Sequence, residues 1–311
     1  MENSKVSQFG DRAFKGLTFL MALSVFVLII LIGYELAHGS SIAIHQFGWR
    51  FLISSDWDPV SEKFGAVPFI FGTLVSSAIG LIIAVPLSIA TAVYLTELAP
   101  LWIRQPLTIF IELLAAVPSV ILGLWGIFVM VPWLSGHLFP WLQKVLGFIP
   151  LFQGPIYGPS VLAGGIIVAI MILPIITSVS REILRSVPGL QREAAYALGA
   201  TRWEVTRIAV LSYAKKGLFG AVILGLGRAL GETMAVTMVI GNSPQIAKSL
   251  FAPGYTLASV VANEFSEATT DTYLSALFEI GLVLLGVTVA VNALAQLLLK
   301  TFAGPGVKPQ G

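Results

Sequence analysis

Long apolar runs separated by shorter polar stretches recur along the 311-residue chain. Six of them, at 17–37, 68–95, 107–131, 160–180, 217–240 and 274–299, reach the roughly 20 mostly apolar residues that a bilayer-crossing helix needs. Segments of about ten residues alternating apolar and polar, the mark of a membrane barrel, are absent. The pattern predicts an all-α polytopic membrane protein with six transmembrane helices. The first run exceeds a secretory h-region and no A-x-A site follows it, so it reads as a retained helix. A further apolar stretch, Leu138 to Phe152, is interrupted by Gln143, Lys144 and Gly147 and bracketed by Pro140 and Pro150. Too short to cross, it reads equally as an interfacial helix or as a loop buried against the bundle. Pro86, Pro118 and Pro174 are expected to interrupt spans two, three and four, as kinks or as gentle curvature.

Composition sharpens this picture. Hydrophobic residues make up 56% of the chain and charged residues 11%, against about 25% charged in soluble domains. Soluble enzymes, disordered scaffolds and nucleic-acid binders are thereby excluded. With no cysteine and three histidines, all read as lying in outer loops, neither a disulfide framework nor a metal centre is expected, and no cofactor is called for.

The placement of charge says more than its total. Of the 18 Lys and Arg residues, thirteen fall in the termini and the connections on their side, among them Arg104, Arg181, Arg192, Arg202 and Lys300. Four fall on the other side, and Arg228 lies within a span. By the positive-inside rule both termini are cytoplasmic. The chain then divides into an N-terminal segment 1–16, a permease domain 17–300 and a tail 301–311. The longest cytoplasmic connection, 181–216, is too short for an independent domain. A G-x-x-x-x-G-K-[ST] phosphate cradle is missing, so any ATPase has to be another chain. The cluster Gly225-Leu-Gly-Arg-Ala-Leu-Gly231 has the wrong spacing and suits close helix packing.

Within 181–216, Pro188 suits a first helical turn and Gln191 to Leu198 is rich in helix formers. Gly199 is placed to end that helix in a left-handed conformation. Thr201-Arg-Trp-Glu204 has the capping-box form and predicts a second helix leading into the next span. Ala194, Ala195 and Gly199 offer a surface that another protein could approach closely. From the residues alone, a helix lying on the lipid surface is an equal reading.

Span five carries Arg228 at its twelfth position of 24, a placement that predicts a midplane guanidinium facing protein or water. Glu232, four residues on, shares its helical face. Either the two form a neutralising pair that orients the helix, or Arg228 exchanges Glu232 for an anion. Glu35, Glu97, Glu112 and Glu279 lie toward span ends and read as solvated or locally bonded groups.

Glu193-Ala-Ala-x-x-x-Gly199 resembles the EAA loop of ABC-importer permeases. In the loop's usual I-x-L-P ending, Leu211 matches, Ala209 replaces isoleucine and Ser212 replaces proline, which predicts a straighter second helix. Phe64 to Leu74, Tyr94 to Pro100, Pro118 to Gly126 and above all Gly225-Leu-Gly-Arg-Ala-Leu-Gly-Glu-Thr-Met-Ala-Val236 resemble the PstC-type permease subunits of phosphate ABC importers. The resemblance implies a type I importer bundle that forms half of a phosphate pathway. It implies a PstA-type sister permease, two PstB-type ATPase subunits and an external PstS-type phosphate-binding protein, in a bacterial inner membrane. It implies that Glu193, Ala194, Ala195 and Gly199 couple to the ATPase and that Arg228 and Glu232 line the substrate pathway. The alternatives are a permease for molybdate or sulfate, a passive channel, or a membrane-embedded enzyme. The last lacks an H-E-x-x-H pattern or an evident nucleophile–base pair.

Overall fold

The computed structural model describes residues 3–246 and 248–302. Among them no strand forms and the elements are helical. Apart from the short turns Arg50–Ile53 and Pro150–Phe152, they are in chain order α1 (Asn3–Gly39), α2 (Ser41–Phe47), α3 (Val67–Leu98), α4 (Leu101–Ala116) and α5 (Ser119–Leu146), then α6 (Val161–Arg185) and α7 (Gly189–Ala197). There follow α8 (Arg202–Leu230), α9 (Met234–Ile240), α10 (Leu257–Glu264) and α11 (Asp271–Phe302). Six are long and apolar enough to cross a membrane: α1 from Phe14 onward, α3, α5, α6, α8 and α11.

The count of six agrees with the hydropathy pattern, but two spans are redrawn. Pro118 lacks an N–H and forces Val117 out of helical geometry, to ψ 125°, so the run 107–131 is split. Its first half belongs to α4, which has no buried residue. Its second half opens α5, which continues to Leu146 and takes in the first part of the stretch 138–152, read from the sequence as either an interfacial helix or a buried loop. Two π turns, Gly126–Met130 and Leu134–Leu138, precede Pro132 and Pro140. The widened coil accommodates prolines that would break an ordinary ladder. Phe139 is fully buried against Phe251, with ring centroids 5.2 Å apart. Pro86 and Pro174, by contrast, sit inside continuous helices. The fifth span starts earlier than 217 and ends at Leu230. Gly231 to Thr233 form a break, and α9 resumes beyond it. His38, His45 and His137 lie in helices α1, α2 and α5, not in loops.

The most buried span is α6. It packs between α3, α8 and α9, and Ile167, Ile172 and Ile176 are fully enclosed. Ser88 of α3 donates to the Leu173 carbonyl of α6 at 3.0 Å. No residue of the apolar window of α1 is buried within the chain. Its junction with α2 is closed by the last span: Ser275 Oγ donates to the Gly39 carbonyl at 2.8 Å and accepts from the Ala43 N–H at 3.1 Å. Beside that junction Trp57, Phe64, Phe69, Tyr255 and Tyr273 form an aromatic cluster. Glu264 accepts there from Trp57 Nε1 at 2.8 Å and from the Tyr273 hydroxyl at 2.6 Å.

Candidate functional site

Two places combine unusual chemistry with unusual backbone. The first is the break after α8. Gly225 lets α8 approach α6 so closely that a Cβ there would lie 2.6 Å from Ile176 Cδ1, which is the close packing expected of this glycine cluster. One turn later Arg228 stands in the last turn of α8, two residues before its end. The expected mid-helix position is therefore replaced by a helix terminus, because Gly231 to Thr233 leave helical geometry.

Arg228 and Glu232 meet as their four-residue spacing predicts. Arg228 Nη2 lies 3.2 Å from Glu232 Oε2, an ion pair that misses hydrogen-bond alignment. The two partners differ in their surroundings. The Glu232 side chain is 3% exposed and that of Arg228 is 47% exposed. Glu232 Oε1 also accepts from the Ala235 N–H at 3.3 Å, satisfying one of the free amides at the start of α9. The carboxylate is thus anchored, while the guanidinium has one partner and an open side.

That open side faces a groove of about 560 Å³ between α6, α8 and α11, lined by Ile175, Leu224, Gly227, Arg228, Asn292 and Gln296. Asn292 and Gln296 were not singled out from the sequence. The signal was available, since they are two amides four residues apart in an otherwise apolar stretch of α11.

The second place is the corner around α7. Pro188 is the N-cap, and the helix closes with a Schellman motif: Ala200 N–H to the Ala195 carbonyl at 3.2 Å and Gly199 N–H to the Tyr196 carbonyl at 2.9 Å. Gly199 has φ +81°, the left-handed conformation its position called for. Thr201 and Glu204 form the expected capping box, with Thr201 N–H donating to Glu204 Oε2 at 2.7 Å. Beyond it α8 runs on without a break through a π turn at Val205–Leu211, with Ser212 in place of a proline. Glu193, Ala194 and Gly199 are exposed and Ala195 is half-buried. Leu190, Tyr196 and Leu198 also stand open to their surroundings.

The acids at span ends fall into distinct classes. Glu97, at the end of α3, holds α7: Arg192 Nη2 donates to Glu97 Oε1 at 2.9 Å and Arg192 Nε to Oε2 at 3.4 Å. Arg192 also reaches the carbonyls of Val187 at 2.6 Å and Leu184 at 3.0 Å, and Arg202 donates to the Glu97 carbonyl. Glu112 of α4 pairs with Arg181 of α6 at 3.2 Å, beside a Thr108 bond to the same guanidinium at 2.6 Å. Glu35 is exposed on α1. Glu279 departs from expectation: it is buried, and among the described residues its Oε2 has no hydrogen-bond partner. It lines an apolar cavity of about 770 Å³ with Trp49, Ile70 and Val283.

The pattern of a binding-protein-dependent transport system inner membrane component matches residues 84–303. The phosphate transport system permease protein PstC of Haemophilus influenzae is 48% identical over 293 residues, covering 93% of each chain. The protein of the same name from Mesorhizobium japonicum is 46% identical, covering 93% of this chain and 90% of its own. Among solved structures, a chain of a bacterial alginate ABC transporter in complex with its pentasaccharide-bound periplasmic protein aligns with TM-score 0.63 at 18% identity. That alignment covers 94% of this chain and 96% of the other. A chain of the inward-facing MetNI methionine ABC transporter aligns with TM-score 0.53 at 17% identity, over 76% of this chain and 94% of its own. These likenesses show the ABC-importer permease fold. With the family pattern spanning most of the sequence and close relatives along nearly all of it, the chain belongs to the binding-protein-dependent transport inner membrane components, in their PstC-type branch.

Proposed function

We propose that this chain is a permease subunit of an ATP-driven importer of inorganic phosphate and forms half of its translocation pathway. The names of its PstC-type relatives support the substrate. The observation that carries the mechanism is the half-exposed guanidinium of Arg228 beside the buried, anchored carboxylate of Glu232. A guanidinium binds phosphate oxygens bidentately. Arg228 swings from Glu232 to the anion as it passes. Glu232 then keeps the empty site close to neutral, so that phosphate is not held permanently.

The corner helix α7 docks into a groove on a PstB-type ATPase through Glu193, Ala194, Ala195 and Gly199, and this chain supplies no nucleotide site of its own. A PstA-type sister subunit forms the other half of the pathway, and a PstS-type protein delivers phosphate at the opposite face. The chain sits in a bacterial inner membrane. Both termini and α7 lie on its cytoplasmic side, where most of the Lys and Arg residues gather.

Three variants of the assembled importer in proteoliposomes test the pair. Arg228→Gln removes the cation and leaves Glu232 buried without its partner, so phosphate uptake collapses. Glu232→Gln keeps the cation, so phosphate enters and leaves more slowly. If the pair only neutralises itself, both variants assemble poorly and the double Gln variant regains assembly and uptake together. Normal uptake by that double variant refutes a substrate role for Arg228. Competition by sulfate and molybdate in the same vesicles checks the choice of anion.

A further inference from the structure

A single arginine is a poor match for an anion that is partly divalent at neutral pH, and its other donors have to come from somewhere. Asn292 and Gln296 lie four residues apart on α11 and so share one helical face. Both line the groove into which Arg228 opens. Asn292 Nδ2 lies 4.0 Å from the position a Cβ would take on Gly227, the residue next to Arg228, so the amide stands at van der Waals distance from α8 there. Asn292 is half-buried and Gln296 exposed, and among the described residues neither amide has a hydrogen-bond partner. Amides inside a membrane span are costly unless they meet protein, water or a ligand.

We propose that Asn292 and Gln296, with Arg228, form a binding subsite for a tetrahedral oxyanion in the groove between α8 and α11. This rests on the reading of Arg228 as a substrate residue and extends it to a second span of the same chain. The groove, at about 560 Å³, holds a tetrahedral oxyanion with part of its water shell. Neutral donors suit a transport site, because they add hydrogen bonds to the anion without adding charge that would retain it. One guanidinium and two amides thus spread several donors over three or four phosphate oxygens, while Glu232 stays tied to α9.

The test uses the assembled importer with its binding protein in proteoliposomes, with inorganic phosphate as the probe. Asn292→Leu and Gln296→Leu suit an apolar span and remove amides that bond to no described residue, so assembly and binding-protein-stimulated ATP hydrolysis are retained. Phosphate delivered per ATP falls about tenfold in each, the loss of one hydrogen bond to a charged group. Asn292→Asp keeps the shape and places a carboxylate beside Arg228, which repels the anion and abolishes uptake. A merely structural amide predicts the reverse, since Asp would bond Arg228 more strongly. If either Leu variant disturbs assembly, the Ala variants are read in its place. Uptake within about twofold of the parent in the Leu and Asp variants overturns the proposal. If Arg228→Gln transports normally while the Leu variants lose uptake, the reading of Arg228 fails and the amide subsite stands by itself.

Discussion

Replacing Glu97 with Gln keeps the shape of the side chain and removes the charge that fastens α7 to the end of α3. A nine-residue helix does not hold its conformation or position unaided. Its fastening is concentrated in Arg192, which spans Glu97, Val187 and Leu184 at distances from 2.6 to 3.4 Å. Both charged side chains are sheltered, at 23% exposure for Arg192 and 13% for Glu97. Breaking a fully buried pair by removing one partner costs about 3–5 kcal/mol. The residual exposure and the two surviving carbonyl contacts lower this to about 2 kcal/mol. Opening α7 away from α3 therefore becomes easier by roughly thirty-fold, since each 1.4 kcal/mol is about a factor of ten. Amide hydrogen exchange of the subunit in lipid nanodiscs reads this directly. Amides of residues 190–199 exchange about thirty times faster in Glu97→Gln, while those of α6 keep their protection. Unchanged exchange over 190–199 would show that the ion pair does not hold the corner, and equal acceleration in α6 would show global loosening instead.

Two further outcomes follow from single residues. Gly199→Val puts a branched side chain at φ +81°, where nothing within 4 Å obstructs it, so the penalty is backbone strain alone; the protein inserts normally and ATP-coupled uptake falls, whereas unchanged coupling favours a helix resting on lipid. Glu279→Leu replaces a buried carboxylate that lacks a partner with a side chain matching its apolar cavity, so the isolated chain in detergent gains about 1–3 kcal/mol of stability by thermal unfolding; a loss of stability would reveal a partner for that carboxylate within the chain.

The number of spans and the architecture of the α7 corner were legible because they depend on local signals. Length and apolarity report a span, and Gly199 and Thr201-x-x-Glu204 report a helix end and a helix start wherever they stand. Span edges were less legible, because hydropathy cannot distinguish a straight crossing from two helices joined at Pro118. The two π turns let α5 continue past Pro132 and Pro140, a geometry with no apolar signature. Arg228 and Glu232 were found by spacing, yet their unequal burial depends on the break at Gly231 to Thr233, which lies inside the apolar run 217–240 and leaves hydropathy unmarked. Glu279 and Glu97 look alike in sequence, and only the fold gives one a guanidinium and the other an apolar cavity. Asn292 and Gln296 acquire meaning only once α11 is laid beside α8.

The clasp made by Ser275 has a bearing on biosynthesis. Its hydroxyl joins the Gly39 carbonyl and the Ala43 amide across 236 and 232 residues of chain, bridging the gap between the first two helices. The ribosome releases that gap long before it makes the residue that fills it. Until the sixth span arrives, these two peptide groups at the α1–α2 junction lack the Ser275 hydroxyl that bridges them in the complete fold. The first helix to enter the membrane is therefore among the last to be fixed in place. A chain cut short before residue 275 lacks the hydroxyl that joins those two peptide groups, so the link between its first and last helices is missing.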